Sequence, residues 1–254
     1  MHFVLKHLPA AVVCLVFVIC CLLIVNTGLM LFNRSALKKL REEKHESLAI
    51  MFGAISLIYS LILAFVIITD WQDYDELSDS VEQESNQLRL ILNHSAMLPD
   101  SLSVPIKKAV HVYAQYVLEQ EWSQSDTPMS PDPLFEIYNV FYRLHPATVQ
   151  QKEILTNLYD ELNETFEFRR ERLYHRSSHV PGFVWLILLT GSIITIMFTF
   201  FFEITSTRLQ SFFISLFTIM IAMCLFLVYV LDHPFEGSTA VSNEQYEIIS
   251  NQSK

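Results

Sequence analysis

Four long apolar runs dominate the chain. Leu8 to Phe32 is interrupted only by Asn26 and Thr27 and ends at Asn33-Arg34. Ala49 to Thr69 is closed by Asp70, Phe183 to Phe202 by Glu203, and Phe212 to Leu231 by Asp232. A helix needs about 20 apolar residues to cross the hydrocarbon of a bilayer. Each run meets that length, and none carries a charged side chain. The pattern predicts four transmembrane helices, at about 8–32, 49–69, 183–202 and 212–231. The first run is too long for a signal peptide, and no A-x-A cleavage site follows it.

Between the second and third runs the pattern changes. Leu77, Val81, Leu88, Ile91 and Leu92 recur at helical spacing. So do Ile106, Val110, Tyr113 and Val117, then Leu134, Tyr138, Phe141 and Leu144, then Leu155, Leu158, Leu162 and Phe166. Pro99, the Thr127–Pro133 stretch and Pro146 divide these helices, and Ser130 or Asp132 can cap the third. The last one is expected to run from about Thr148 towards Pro181 and feed into the third span. No stretch alternates with period two, so no sheet is expected. The reading is an all-α, multi-pass membrane protein. Residues 1–69 carry two spans, 70–180 form an inserted helical domain outside the membrane, and 181–232 carry two more spans. The tail, 233–254, is polar and is expected to be extended or loosely packed.

Composition sharpens this picture. Of 254 residues, 52% are apolar and 17% charged, against about 25% charged in soluble domains. The 70–180 segment holds 19 acidic and nine basic side chains, so the whole net charge of −10 resides there. That balance argues against a nucleic-acid partner, which needs a basic face. All four cysteines, Cys14, Cys20, Cys21 and Cys224, lie inside apolar runs and read as small packing residues. Lys and Arg are nearly balanced between the two sides, so orientation stays open. An even number of spans does place both termini and the 70–180 domain on one side.

Chemistry is sparse. No P-loop, G-x-G-x-x-G, G-x-S-x-G or H-E-x-x-H occurs, and no enzymatic activity or cofactor is expected. His175 and His179, one helical turn apart with Glu171 before them, have metal-ligand spacing. Arg172 and Arg176 beside them would repel a cation, and no metal site is assigned. The acidic run Asp70, Asp73, Asp75, Glu76, Asp79, Glu82, Glu84 reads first as a solvated helix face. No span carries an Asp, Glu, Lys, Arg or His, which disfavours a proton-relay pump.

A family resemblance emerges from four motifs. The second span ends in Thr69-Asp70-Trp71-Gln72-Asp73-Tyr74, a W-x-x-Y element. Val81, Glu84 and Leu88 follow as V-x-x-E-x-x-x-L. Tyr113, Val117, Glu121 and Trp122 form a third element, and Leu231-Asp232-His233-Pro234-Phe235-Glu236-Gly237 matches an L-D-x-P-F-x-G closing signature. These residues resemble the bestrophin-like membrane proteins of unknown function catalogued as DUF4239, which are distantly similar to bestrophin channels. The resemblance covers about residues 45–246.

It implies a homopentamer, an ion pore lined by the second span, and a helical domain on the cytoplasmic side of a bacterial plasma membrane. The segment after the fourth span is short, which puts calcium gating in doubt. Within this frame Leu57, Leu61 and Phe65, spaced i, i+4, i+8, are expected to share one helical face and form an apolar constriction. Ser56 and Ser60 mark the alternative face. Asp70 and Asp73 are expected to form acidic rings that favour cations. The competing reading is a non-conducting membrane protein whose acidic domain docks a partner or senses a signal.

Overall fold

The computed structural model describes residues 9–34, 45–122, 132–202 and 206–253. Lys6, the linker bases Lys38, Lys39, Arg41 and Lys44, Ser130 with most of the proline-rich stretch, and Glu203 lie outside the described residues. Eight α-helices are present among the described residues, and no strand. They are α1 (Ala10–Arg34), α2 (His45–Ser95), α3 (Asp100–Tyr116), α4 (Pro133–Arg143), α5 (Val149–Ser177), α6 (Gly182–Thr199), α7 (Thr207–Leu231) and α8 (Glu244–Gln252). Four of them, α1, α2, α6 and α7, are long and apolar enough to cross a membrane, as the hydropathy pattern predicts. In hydrocarbon a helix satisfies its own backbone hydrogen bonds, which is why these runs are helical rather than irregular.

Two compact units divide the chain. The first holds α1, α2 up to Tyr74, α6, α7 and the segment to Ala240. Tyr59 and Leu63 of α2 pack with Leu188 of α6 and with Ile221, Leu225 and Val228 of α7. Contact there is close enough that a Cβ on Gly191 would sit 2.5 Å from Tyr59 Cδ2. α1 lies along α7, with Val13 against Phe226 and Leu29 against Phe200 and Ile214. Asn26, the polar interruption of the first run, bonds across that seam. Its amide donates to Ser215 Oγ at 3.2 Å, and the Ser211 hydroxyl donates to its carbonyl. Such polar contacts hold helices together where no hydrophobic driving force separates protein from lipid.

The second unit holds α2 from Asp75, α3, α4, α5 and α8. Leu77, Leu88 and Ile91 of α2, Ile106, Val110 and Tyr113 of α3, Ile137 of α4, and Leu158 and Leu162 of α5 are fully buried. Apart from Ile137 these lie on the stripes that the spacing picked out. In α4 it is Ile137 that is buried with Leu134 and Phe141, while Tyr138, expected on the stripe, is 39% exposed. Of the two candidate caps for α4, Asp132 does the work: its Oδ1 accepts from the Leu134 N–H at 2.9 Å. α3 continues into a π-helical turn, Val117–Glu121.

The second span and the first stripe of the inserted domain lie on one helix of 51 residues, α2. Two expectations need correction. α5 does not run into the third span. It stops at Ser177, and residues 178–181 are non-helical, since Pro181 disfavours helical backbone at the residue before it. The tail is not loose: α8 packs on α3 with Tyr246 and Ile249 fully buried. His111 Nδ1 donates to the Ser250 carbonyl at 2.8 Å and fixes the contact. Two apolar residues three apart in a polar tail are enough, because they fall on one helical face.

Candidate functional site

The membrane stretch of α2 has two unlike faces. Tyr59, Leu63 and Val66 pack on α6 and α7. On the other side Leu57, Leu61 and Phe65 are 70%, 56% and 62% exposed and lie outside that core cluster. The predicted stripe therefore exists as an uncovered apolar ridge in the single chain. Of the alternative face, Ser60 is exposed and spends its hydroxyl on the Leu57 carbonyl, while the Ser56 hydroxyl is shut in without a partner.

At 3.6 residues per turn, Asp70 lies about 180° around α2 from Leu61. It continues the covered face of Tyr59, Leu63 and Val66 and is only 8% exposed. Its Oδ2 is sealed from solvent and accepts no hydrogen bond. Asp73 is half-buried, one turn on, and its Oδ2 accepts from Ser178 Oγ at 3.2 Å. Asp232, just past α7, is buried too. Its Oδ1 accepts from the Val180 N–H at 2.7 Å, its Oδ2 from Trp185 Nε1 at 3.2 Å, and its carbonyl from His179 Nδ1 at 3.0 Å. The three carboxylates border a cavity of about 390 Å³ whose other wall is apolar, with Phe65, Val66, Val184 and Leu231.

The signature residues have structural duties. Tyr74 Oη donates to the Thr239 carbonyl at 3.0 Å. Asp232 ties the entry of α6 to the exit of α7, as above. Gly237 adopts φ 76°, a left-handed conformation that L side chains rarely take. That bend precedes Ser238, whose Oγ accepts from the Ala10 N–H at 2.9 Å. Pro234 is buried, Phe235 half-buried and Trp71 exposed.

Sequence reasoning missed a second arrangement, inside the helical unit. Arg172 of α5 is fully buried. Its Nε meets Glu84 Oε2 and its Nη2 meets Glu121 Oε2, both at 2.6 Å. Arg169 binds Glu121 Oε1 and Asp132 Oδ2, each at 2.6 Å. Tyr113 Oη donates to Glu84 Oε1 at 2.5 Å. Burial alone would raise the Glu121 carboxyl, but Arg172 and Arg169 outweigh it and hold the group below the ordinary carboxylate range. The signal was present: Leu158, Leu162, Thr165, Arg169 and Arg172 are spaced 4, 3, 4 and 3. The core stripe of α5 thus continues into its arginines, and its carboxylate partners come from the acidic run and the third motif.

His175 Nε2 lies 3.4 Å from Glu76 Oε2, while His179 serves Asp232. An all-helical chain with four apolar spans and an inserted helical unit is the class of protein these features define. A Bestrophin-like domain model matches residues 19–246. The chain belongs to the bestrophin-like family. Two crystal structures of a bacterial bestrophin homologue from Klebsiella pneumoniae, each with a single substitution, share the fold. One has a TM-score of 0.74 at 14% identity and covers 94% of this chain and 98% of that one. The other has a TM-score of 0.76 at 12% identity and covers 93% and 97%. No curated protein sequence matches significantly.

Proposed function

We propose that this protein is an ion channel of the bestrophin-like family, built as a ring of identical subunits, most simply a pentamer. α2 of each copy lines the pore, and Leu57, Leu61 and Phe65 form its constriction. The family match over residues 19–246 carries this reading. The ridge on α2 is bare, as are faces of α1 and α6 that lipid covers, and around a ring axis it becomes a hydrophobic gate that excludes water. No catalytic role is assigned. The helical unit and both termini are placed on the cytoplasmic side.

The pore favours cations. Asp70 and Asp73 lie off the ridge, so they act on ions through their field rather than by contact, aided by the net −10 of the 70–180 segment. Screening limits that reach to about 8 Å at physiological salt. Native mass spectrometry should show a single oligomer, and a species that is only monomer would refute the ring. In a KCl gradient across a planar bilayer the reversal potential should lie near that of potassium. Asp73→Asn should reduce the cation preference more than Asp70→Asn, because Asp73 is the more accessible. Reversal near the chloride potential would refute the selectivity.

One observation favours the second reading, a docking role. Phe135, Tyr138 and Tyr142 of α4 are 52%, 39% and 79% exposed along one helical face. Absence of current from a correctly assembled oligomer would leave that reading standing.

A further inference from the structure

Buried carboxylates in the helical unit have arginines: Glu84 has Arg172, and Glu121 has Arg172 and Arg169. Asp70 has none. It is 92% removed from solvent, its Oδ2 is unpartnered, and Asp73 and Asp232 add negative charge beside it. Among the described residues lining the cavity there is no Lys or Arg. Its one basic side chain is His179, 58% exposed and 3.5 Å from Asp232 Oδ1. A buried charge without a counter-charge is costly, and a bound cation removes that cost.

The shape of the cavity selects the kind of cation. A metal ion such as Ca²⁺ takes about six to eight oxygen ligands at close range. Here both Asp232 oxygens and Asp73 Oδ2 already accept hydrogen bonds from the chain. An ammonium group asks less: three acceptors for three N–H donors. The volume of about 390 Å³ falls in the range of small-molecule sites, roughly 300–1,000 Å³. Phe65, Val66, Val184 and Leu231 offer an apolar wall opposite the acids.

We propose that this cavity binds a protonated primary amine with a short apolar body, its ammonium group on Asp70 and its carbon chain against the Val66–Val184 side. The site uses two of the carboxylates assigned to selectivity but does not depend on conduction. Isothermal titration of the full chain in phosphatidylcholine nanodiscs, with empty nanodiscs subtracted, tests it using n-butylammonium, n-butanol and CaCl₂. Butylammonium should bind saturably, one per chain, at least tenfold tighter than butanol. Asp70→Asn should weaken it at least tenfold. Val184→Phe, which fills the cavity and keeps the charge, should abolish binding, while Asp79→Asn, outside the cavity, should leave it unchanged. Equal binding of amine and alcohol, undiminished binding by both Asp70→Asn and Val184→Phe, or a site that takes Ca²⁺ and not the amine would overturn the proposal. Binding is read without current, so its failure is separate from a failure of the channel reading.

Discussion

Replacing Arg172 by Met should open the helical unit, and the structure sets the size of the effect. Arg172 is fully buried and serves two carboxylates. Without it Glu121 keeps Arg169, but Glu84, also fully buried, keeps only the Tyr113 hydroxyl. Removing one partner of a buried ion pair costs about 3–5 kcal/mol because the other charge is stranded. At roughly 1.4 kcal/mol per factor of ten, that is about 10²- to 10⁴-fold in the opening equilibrium. Hydrogen exchange read by mass spectrometry on the full chain measures it locally. Peptides from the 77–95 part of α2, from α3 and from α5 should lose protection by that factor, while peptides from α6 and α7 should not. Adding Glu84→Gln to Arg172→Met removes the stranded charge, so the double variant should exchange at least tenfold more slowly than the single one. If Arg172→Met exchanges within threefold of the wild type, or the double variant is no better than the single, the network is not what holds this unit together.

Acidification should loosen the same unit. Glu121 is held below its ordinary value near 4.5, so its contribution is complete above that pH and is lost as pH falls through the lower folded value. Exchange of α3 peptides should rise as pH falls through this window, after correction for intrinsic rates, and Glu121→Gln should flatten the rise. Gly191→Ala should destabilise the spans by about 1–3 kcal/mol through overpacking, since the new Cβ meets the Tyr59 ring at 2.5 and 2.8 Å. Its thermal inactivation half-life in detergent should shorten, and Tyr59→Leu should restore part of it. Alanine at Leu57, Leu61 and Phe65 together should raise single-channel conductance; unchanged currents combined with a large effect of Ser56→Leu would move the pore to the other face.

The spans and most helices of the inserted unit were legible because each rests on a repeated local signal: uninterrupted apolar length, or apolar residues every third and fourth position. Asp132 was readable as a cap for the same reason. What escaped the sequence was tertiary. Arg169 and Arg172 look like a membrane-flanking basic cluster, and Glu84 looks like one acid in a solvated run, until the fold brings them within 2.6 Å of their partners. The tail escaped because its signal is two residues long, Tyr246 and Ile249, and becomes visible only against α3. Leu57, Leu61 and Phe65 were legible as a stripe. The opposite placement of Asp70 follows from the same arithmetic, but it has meaning only once α6 and α7 show which side of α2 is covered.

That covered side runs through α2 in one rhythm. Tyr59, Leu63, Val66 and Asp70 are spaced 4, 3 and 4, and Leu77, Val81, Glu84, Leu88 and Ile91 are spaced 4, 3, 4 and 3. Two carboxylates thus occupy positions where the pattern calls for apolar side chains. Neither is tolerable there as a bare charge. Glu84 is answered within the chain, by an arginine in the equivalent stripe of α5 and by a tyrosine from α3. Asp70 is answered by nothing in its own unit beyond an exposed histidine that serves a neighbouring acid. For Asp70, which has no ion partner, stability alone would be met by leucine, whereas removing Glu84 alone leaves Arg172 short of a partner, because a buried pair can be replaced without loss only as a pair. The difference between them therefore assigns different work: Glu84 fixes the packing of three helices, while Asp70 sets an unpartnered carboxyl beside a cavity. Asp70→Leu should accordingly raise the thermal stability of the spans, whereas Glu84→Leu should lower that of the helical unit by stranding Arg172. If both substitutions shifted stability in the same direction, the two carboxylates would be doing the same job and the assignment would fail.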